Sequence, residues 1–334
     1  MRLTAALAAA ALAAAFGGCV APRPESPGGL GMGPLAIRQG SPFEFTRADT
    51  VPRAPGRLGA GELELGGFVT WTSRWANTDG DAYVGDGEAI WLTTVVTVGV
   101  TDRVEMSFEL PAAWHGGGGM DWLITGFHDL FGVVANERDD ASRNGFRFEL
   151  HDADGSDWIA DSGEKGAFFE DPFVRLSFLV AEGAGRAPRT SLDLHLRLGG
   201  GRAEEFMAGA GPELALGVTL AEDWGRWHAY LGIARVFVAA DEFGGVEVAD
   251  RRTEGFLAVE LELPNGSSLV VQALLSSGFA EDFRVYADTV LEFHAGLKWH
   301  ASPRTALELG IVENAYNYDS SPDIGFHFGV TRRF

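Results

Sequence analysis

The residues best able to do chemistry in this 334-residue chain are charged and imidazole groups that recur at every second position of short segments. Asp193, His195 and Arg197 form one such run, and Glu292, His294 and Lys298 another. Glu62 with Glu64 and Glu260 with Glu262 repeat the spacing with carboxylates, Glu105 with Glu109 spans two such steps, and Arg103, Arg175, Glu308, His327 and Arg333 stand in similar company. Such groups can ligate a metal, move a proton or line an aqueous path. A metal site needs three or four ligands converging on one point. Nothing in the spacing brings His195, His294 and His327 together, so neither a metal nor any cofactor is expected.

Two further clusters lie between Pro111 and Asp171. Asp121, His128 and Asp129, with Thr125 nearby, could gate or hydrolyse, although an amphipathic helix needs a polar face in any case. Asp152 to Asp157, read D-A-D-G-S-D, resembles a calcium loop, but Asp157 stands where that loop needs glycine and Gly163 where it needs glutamate. A hairpin turn at Asp154-Gly155 is the simpler reading. The chain has no G-x-S-x-G elbow, no H-E-x-x-H and no phosphate-binding G-x-x-x-x-G-K. Cys19 is the sole cysteine, which excludes an intrachain disulfide. No catalytic residue is assigned.

The elements that must position these groups are strands. From Gly61 onward, segments of about ten residues alternate apolar and polar side chains, as transmembrane strands do. Leu63, Leu65, Val69 and Trp71 oppose Glu62, Glu64, Thr70 and Thr72; Val104, Met106, Phe108 and Leu110 oppose Glu105, Ser107 and Glu109. Further segments at Ile90 to Val100, Pro172 to Val180, Leu192 to Leu198, Leu214 to Leu220, Trp227 to Val238, Gly255 to Leu263, Leu269 to Phe279, Val290 to Trp299 and Thr305 to Ala315 bring the number, with the last strand, to about twelve. In Trp227 to Val238, Leu231 and Ile233 compete with Tyr230, Val236 and Val238 for the outer face. Connections alternate between short turns and long loops, with both termini on the short-turn side. The expected fold is all-β: a closed antiparallel transmembrane β-barrel over residues 61–334. Its inward face carries the charged residues named above, which an apolar core could not hold but a polar lumen can. Residues 112–171 form a long structured second outer loop, in which Met120 to Val134 shows helical spacing.

The ends of the chain agree. Residues 1–18 have the layout of an export signal, and F-G-G-C ending at Cys19 admits either lipid attachment or ordinary cleavage nearby. Residues 19–60 read as a periplasmic linker and N-terminal segment, in which Gly33 to Pro55 is either a short plug or a pad. The last strand places Ile324, Phe326, Phe328, Val330 and Phe334 on one face, and Phe334 ends the chain as an assembly signal would, with Arg332 where an apolar residue is usual. A net charge of −21 excludes a nucleic-acid partner that needs a positive footprint.

G-P-L-A-I-R-Q-G-S-P-F from Gly33, G-F-H-D-L-F-G from Gly126, R-D-D-A-S-R-N-G-F-R-F from Arg138 and E-D-P-F-V-R-L-S-F from Glu170 together resemble an uncharacterised family of proteobacterial outer-membrane proteins, domain of unknown function 3187. Glu170-Asp171-Pro172 stands where that family has a Gly-Asp pair. The resemblance implies an outer-membrane barrel and supplies no activity. Expected partners are outer-membrane lipids, the barrel-assembly machinery and a small solute. The leading function is a narrow channel or binding barrel for that solute. The alternatives are an envelope structural or surface protein with a filled lumen and, third, a lipid hydrolase with a serine and a histidine on its outer wall.

Overall fold

The computed structural model describes residues 31–40, 51–77, 83–122, 124, 126, 145–151, 157–160, 166–184, 187–199, 212–239, 242–243, 246–281, 284–316 and 321–334. The first half of the chain contributes β1 (Leu63–Asn77), β2 (Tyr83–Thr101), β3 (Val104–Gly116), β4 (Arg147–His151), β5 (Asp157–Ala160), β6 (Gly166–Phe169), β7 (Phe173–Ala184) and β8 (Ala187–Arg197). The second half contributes β9 (Glu213–Trp224), β10 (Trp227–Val238), β11 (Glu242–Phe243), β12 (Val246–Glu247), β13 (Arg251–Glu262), β14 (Ser268–Ser276), β15 (Val290–Ser302), β16 (Thr305–Tyr316) and β17 (Ile324–Arg333), with a one-turn helix α1 (Arg284–Ala287).

Twelve of these strands, β1–β3, β7–β10 and β13–β17, form a closed antiparallel barrel in which each pairs with the next and β1 pairs with β17. The seam runs in register from Glu64 opposite Arg333 to Ser73 opposite Ile324. Closure leaves no free edge in the wall, the condition a sheet must meet in lipid. Turns of a few residues join β2 to β3, β7 to β8, β9 to β10, β13 to β14 and β15 to β16 at one end, called here the short-turn end. The other connections are longer and emerge at the opposite end.

Alternation decides which side chains face out. Leu92, Met106, Leu216, Ile233, Leu257, Val271 and Ile311 are exposed on the outer wall. Trp224 and Trp227, paired across a turn, and Phe334 add aromatics at the short-turn end, with Trp114 toward the other. An apolar band with aromatic margins fits membrane insertion. In β10, Leu231 and Ile233 take the outer face and Tyr230 and Val236 are buried inside. The competition is decided by the polar end of Tyr230, whose hydroxyl donates to Glu260 Oε2 at 2.8 Å.

Several strands outrun the ten residues the pattern suggests: β2 spans 19 and β1 spans 15. Above the long-connection rim, β4 and β5 form a hairpin that pairs with the start of β2, and β6 pairs with the end of β3. The turn expected at Asp154-Gly155, most of the helical spacing between Met120 and Val134, the export signal and Cys19 lie outside the described residues, as do His128 and Asp129. Within that spacing, Met120 and Ile124 are buried, and the Ile124 amide donates to the Met120 carbonyl at 3.0 Å. Among the described residues no helix is long and apolar enough to cross a membrane.

Candidate functional site: an occupied lumen

The lumen is filled by the chain's own N-terminal segment. Residues 31–40 are buried almost throughout, with Leu35 and Ile37 fully so. They climb from the short-turn end toward the long-connection end along the wall formed by β13–β16. The Met32 and Gly33 amides donate to the two carboxylate oxygens of Glu260 at 2.7 and 2.9 Å. The Leu35 amide donates to Gln272 Oε1 at 2.8 Å, the Ala36 amide to Glu308 Oε1 at 3.0 Å, and the Gly40 amide to both oxygens of Glu292 at 2.8 and 3.0 Å. The wall returns donors to the carbonyls: Lys298 Nζ to Pro34 at 2.7 Å, Gln272 Nε2 to Leu35 at 3.2 Å, and Arg74 Nε to Gly40 at 3.0 Å. Main-chain groups removed from water need such partners. Here side chains of the wall supply them.

Local sequence fits this path. Gly33 has φ +89°, a left-handed conformation that costs glycine nothing, and it lets two successive amides share Glu260. Gly296 and Gly310 oppose each other across β15 and β16, and a Cβ on either would fall 2.9 or 3.3 Å from Leu35 Cδ1. The missing side chains are the depression that Leu35 fills. Leu35 and Ile37 pack there on Val270 and Val312.

Residues 51–60 return toward the short-turn end on the opposite wall. Arg53 is hydrogen-bonded to Thr97 and Ser107. The Leu58 amide donates to Glu105 Oε1 at 2.5 Å, and the Arg57 amide shares that oxygen. Arg189 Nε donates to the Pro55 carbonyl at 3.0 Å. Of the two expectations for Gly33 to Pro55, the described residues take the plug and not the pad.

Most of the charged residues read from the sequence do face this lumen. Glu64, Glu105, Glu109, Arg175, Asp193, His195, Arg197, Glu260, Glu292, His294, Lys298, Glu308 and His327 are all buried. Glu260, Glu292, Lys298 and Glu308 hold the ascending limb, and Glu64 and Glu105 the descending one. Arg175 and Asp193 form an ion pair at 2.9 Å. The histidines are not brought together: His327 Nε2 faces Glu308 at 2.8 Å and its Nδ1 meets the Thr70 hydroxyl, whereas His294 lies between Gln272 and Glu292. Among the described residues no group of three or more His, Cys, Asp or Glu is placed to hold a metal ion.

Three assignments need correction. Glu62 precedes β1 and is exposed, its carboxylate accepting the Gly59 amide at 2.9 Å. Arg103 sits in the β2–β3 turn and pairs in solvent with Glu182 at 3.2 Å. Glu262 ends β13 at the rim, with its side chain partly exposed. All three lie where the strand stops, and alternation no longer dictates facing. Arg333, half-exposed at the same end, does turn inward: its Nε donates to Glu64 Oε2 at 2.9 Å across the seam. Of the loop candidates, Asp121 is partly exposed and its described neighbour Met120 is bound through its amide to Glu88.

The pattern missed Arg74, Glu213, Arg252, Glu254 and Gln272, all buried and inward-facing, and Glu88, which is buried on the outer parity of β2 where Trp71 Nε1 donates to it at 2.8 Å. The first five have the inward parity of their strands, a signal that was present in the sequence.

In fold, the closed twelve-stranded antiparallel barrel is similar to that of an outer-membrane channel. The chain belongs to the family described as "Protein of unknown function (DUF3187)", whose pattern matches residues 16–334. No curated protein matches it. Among solved structures, the COG4313 outer membrane channel from Pseudomonas putida F1 has a similar fold, with a TM-score of 0.54 at 11% identity, over 85% of this chain and 100% of that one. The NanC porin aligns with a TM-score of 0.47 at 10% identity, over 81% of this chain and 98% of the porin.

Proposed function

We propose that the protein is a channel of the bacterial outer membrane, kept closed by its N-terminal segment and opened to a small solute when that segment leaves the lumen. Lipids of that membrane and the assembly machinery that inserts barrels are its expected partners. The observation that carries the reading is the manner of occlusion. The plug is attached by side-chain to main-chain hydrogen bonds and is not a strand of the wall, so releasing it leaves all twelve strands paired. The charged lining it would uncover suits water, not an apolar core.

The energetics permit release. Ordering the ten residues 31–40 costs about 10–20 kcal/mol. Charge-assisted bonds at about 1.5–3 kcal/mol each and burial of Met32, Leu35 and Ile37 at about 1.5–3 kcal/mol each oppose that cost with a similar total. For this limb the two totals are therefore of similar size.

The test is a reversible lock. A Cβ on Gly40 would lie 2.6 Å from Pro322 Cγ, so Gly40→Cys with Pro322→Cys, in a Cys19→Ser background, ties the top of the ascending limb to the rim. In planar bilayers the oxidised protein is expected to be silent and reductant to restore current steps. Current that persists in the oxidised form removes the plug as the gate. Silence in both forms, and in the unlocked parent, favours the second reading, a permanently filled structural barrel, for which the dry contact of Leu35 and Ile37 with Val270 and Val312 speaks.

A further inference from the structure

At the short-turn end the descending limb delivers Arg53 into a seat built by the wall. Arg53 Nη1 donates to Ser107 Oγ at 2.8 Å and Thr97 Oγ1 at 3.1 Å; Nη2 donates to Thr97 Oγ1 at 3.1 Å and reaches Glu64 Oε1 at 3.4 Å. Thr97 and Ser107 oppose each other on β2 and β3 with their hydroxyls 3.0 Å apart. Glu64 is held from its other oxygen by Arg333, across the barrel seam. All three wall residues are more than nine-tenths buried. One carboxylate and two hydroxyls set at these positions match the planar fork of a guanidinium, which carries several donors in fixed directions; an ammonium meets them only as a point charge.

The charge balance of the lumen points the same way. Among the described residues, the two limbs of the plug carry Arg38, Arg53 and Arg57 and no carboxylate. On their inward faces the twelve wall strands bury nine carboxylates against five guanidinium or ammonium groups. When the plug leaves, its cations leave with it, and the exposed lumen is acidic. The plug is thus a cationic ligand already bound in the path.

We propose that the solute admitted by this channel is a guanidinium-bearing cation and that Glu64, Thr97 and Ser107 form its seat, filled in the closed state by the chain's own Arg53. The proposal rests on the channel reading and gives it a substrate class. The plug arginine and the solute compete for one site, so solute arriving at the short-turn end favours the open form by occupying what Arg53 vacates.

The first test uses the full chain with Arg53→Ala, folded in detergent. N-ethylguanidinium replaces every atom removed beyond Cβ. It is expected to raise the unfolding midpoint saturably and to bind about tenfold more tightly than n-propylammonium, a factor worth 1.4 kcal/mol. The added change Glu64→Gln is expected to abolish that preference. Equal responses to the two cations, or a preference that survives Glu64→Gln, overturn the proposal. A second variant, Ile37→Asp, loosens the ascending limb on Val270 and Val312 and leaves the seat intact. Under a potassium chloride gradient its current is expected to reverse at a cation-selective potential, with N-ethylguanidinium carried or blocking where n-propylammonium is not distinguished from potassium. Anion selectivity, or current without that discrimination, overturns the seat and leaves the channel reading standing. Selective binding in detergent with no current in any variant upholds the seat and overturns the channel reading alone.

Discussion

Glu170 shows how much a single buried carboxyl contributes. It lies between β6 and β7, outside the wall strands, with Arg38 Nη1 of the plug 3.9 Å from its Oε2. Burial pushes its carboxyl up to about 7; Arg38 and Arg197 pull against that shift and Asp171 adds to it. A carboxyl raised in the folded state holds its proton more tightly there than in the unfolded chain. Its contribution to stability is full below the unfolded value of 4.5 and is lost as pH rises through about 7. The unfolding midpoint is expected to fall across that window, and Glu170→Gln to flatten the slope by an amount worth at most about 3 kcal/mol. Thermal melts of both forms from about pH 4 to about pH 8 measure this, and an unchanged slope in the variant refutes it.

At this scale alternation predicted facing well where strands are regular, as at Glu260, Glu292 and Glu308, and failed at Glu62 and Arg103 where they end. What the sequence concealed is the partner of each inward group. A carboxylate bound to a distant main-chain amide looks, in one dimension, like a carboxylate facing water.

Among the elements, β17 was the most legible. Its apolar face reaches Phe334, and Arg332, out of place in the pattern, lays its guanidinium carbon 5.4 Å from the Phe334 ring centre. A long side chain can lie along an aromatic and keep its charge at the interface, so Arg332 does not break the outer stripe. Phe334→Ser is expected to lower the yield of assembled barrel, read as loss of heat-modifiable migration in a gel. Wild-type migration and yield would remove Phe334 from the assembly signal. Strand lengths were less legible: β9 and β13 begin before Leu214 and Gly255, and so Glu213, Arg252 and Glu254 went unassigned. Residues 31–40 were the hardest to read, because a proline- and glycine-containing stretch bonded to side chains shows neither helical nor strand periodicity.

For the molecule as a whole, protection should reveal the plug as a structured body. Amides of Met32, Gly33, Leu35 and Gly40 are hydrogen-bonded and buried, and that of Ala36 is hydrogen-bonded and partly buried, so their exchange with deuterium requires the limb to detach. Peptides covering residues 31–40 are expected to exchange more slowly than exposed turns and faster than the wall strands, reporting the opening free energy directly. Exchange as fast as that of an exposed turn would mean that the limb spends little time in its seat.

Both limbs of the plug lead to the same end of the barrel, with residue 31 beside Glu260 and residue 60 beside Asp102, each near a short turn. With both described limbs at one end, no free end has to pass through the ring, and two separable steps of assembly are expected. The wall can zip from β1 to β17 first, and residues 31–40 and 51–60 can enter afterwards from the short-turn end. Because Arg53 and Arg333 both grip Glu64, that late entry also fastens the seam. The order of events would appear as a folded, heat-modifiable barrel that precedes, in time, a silent one.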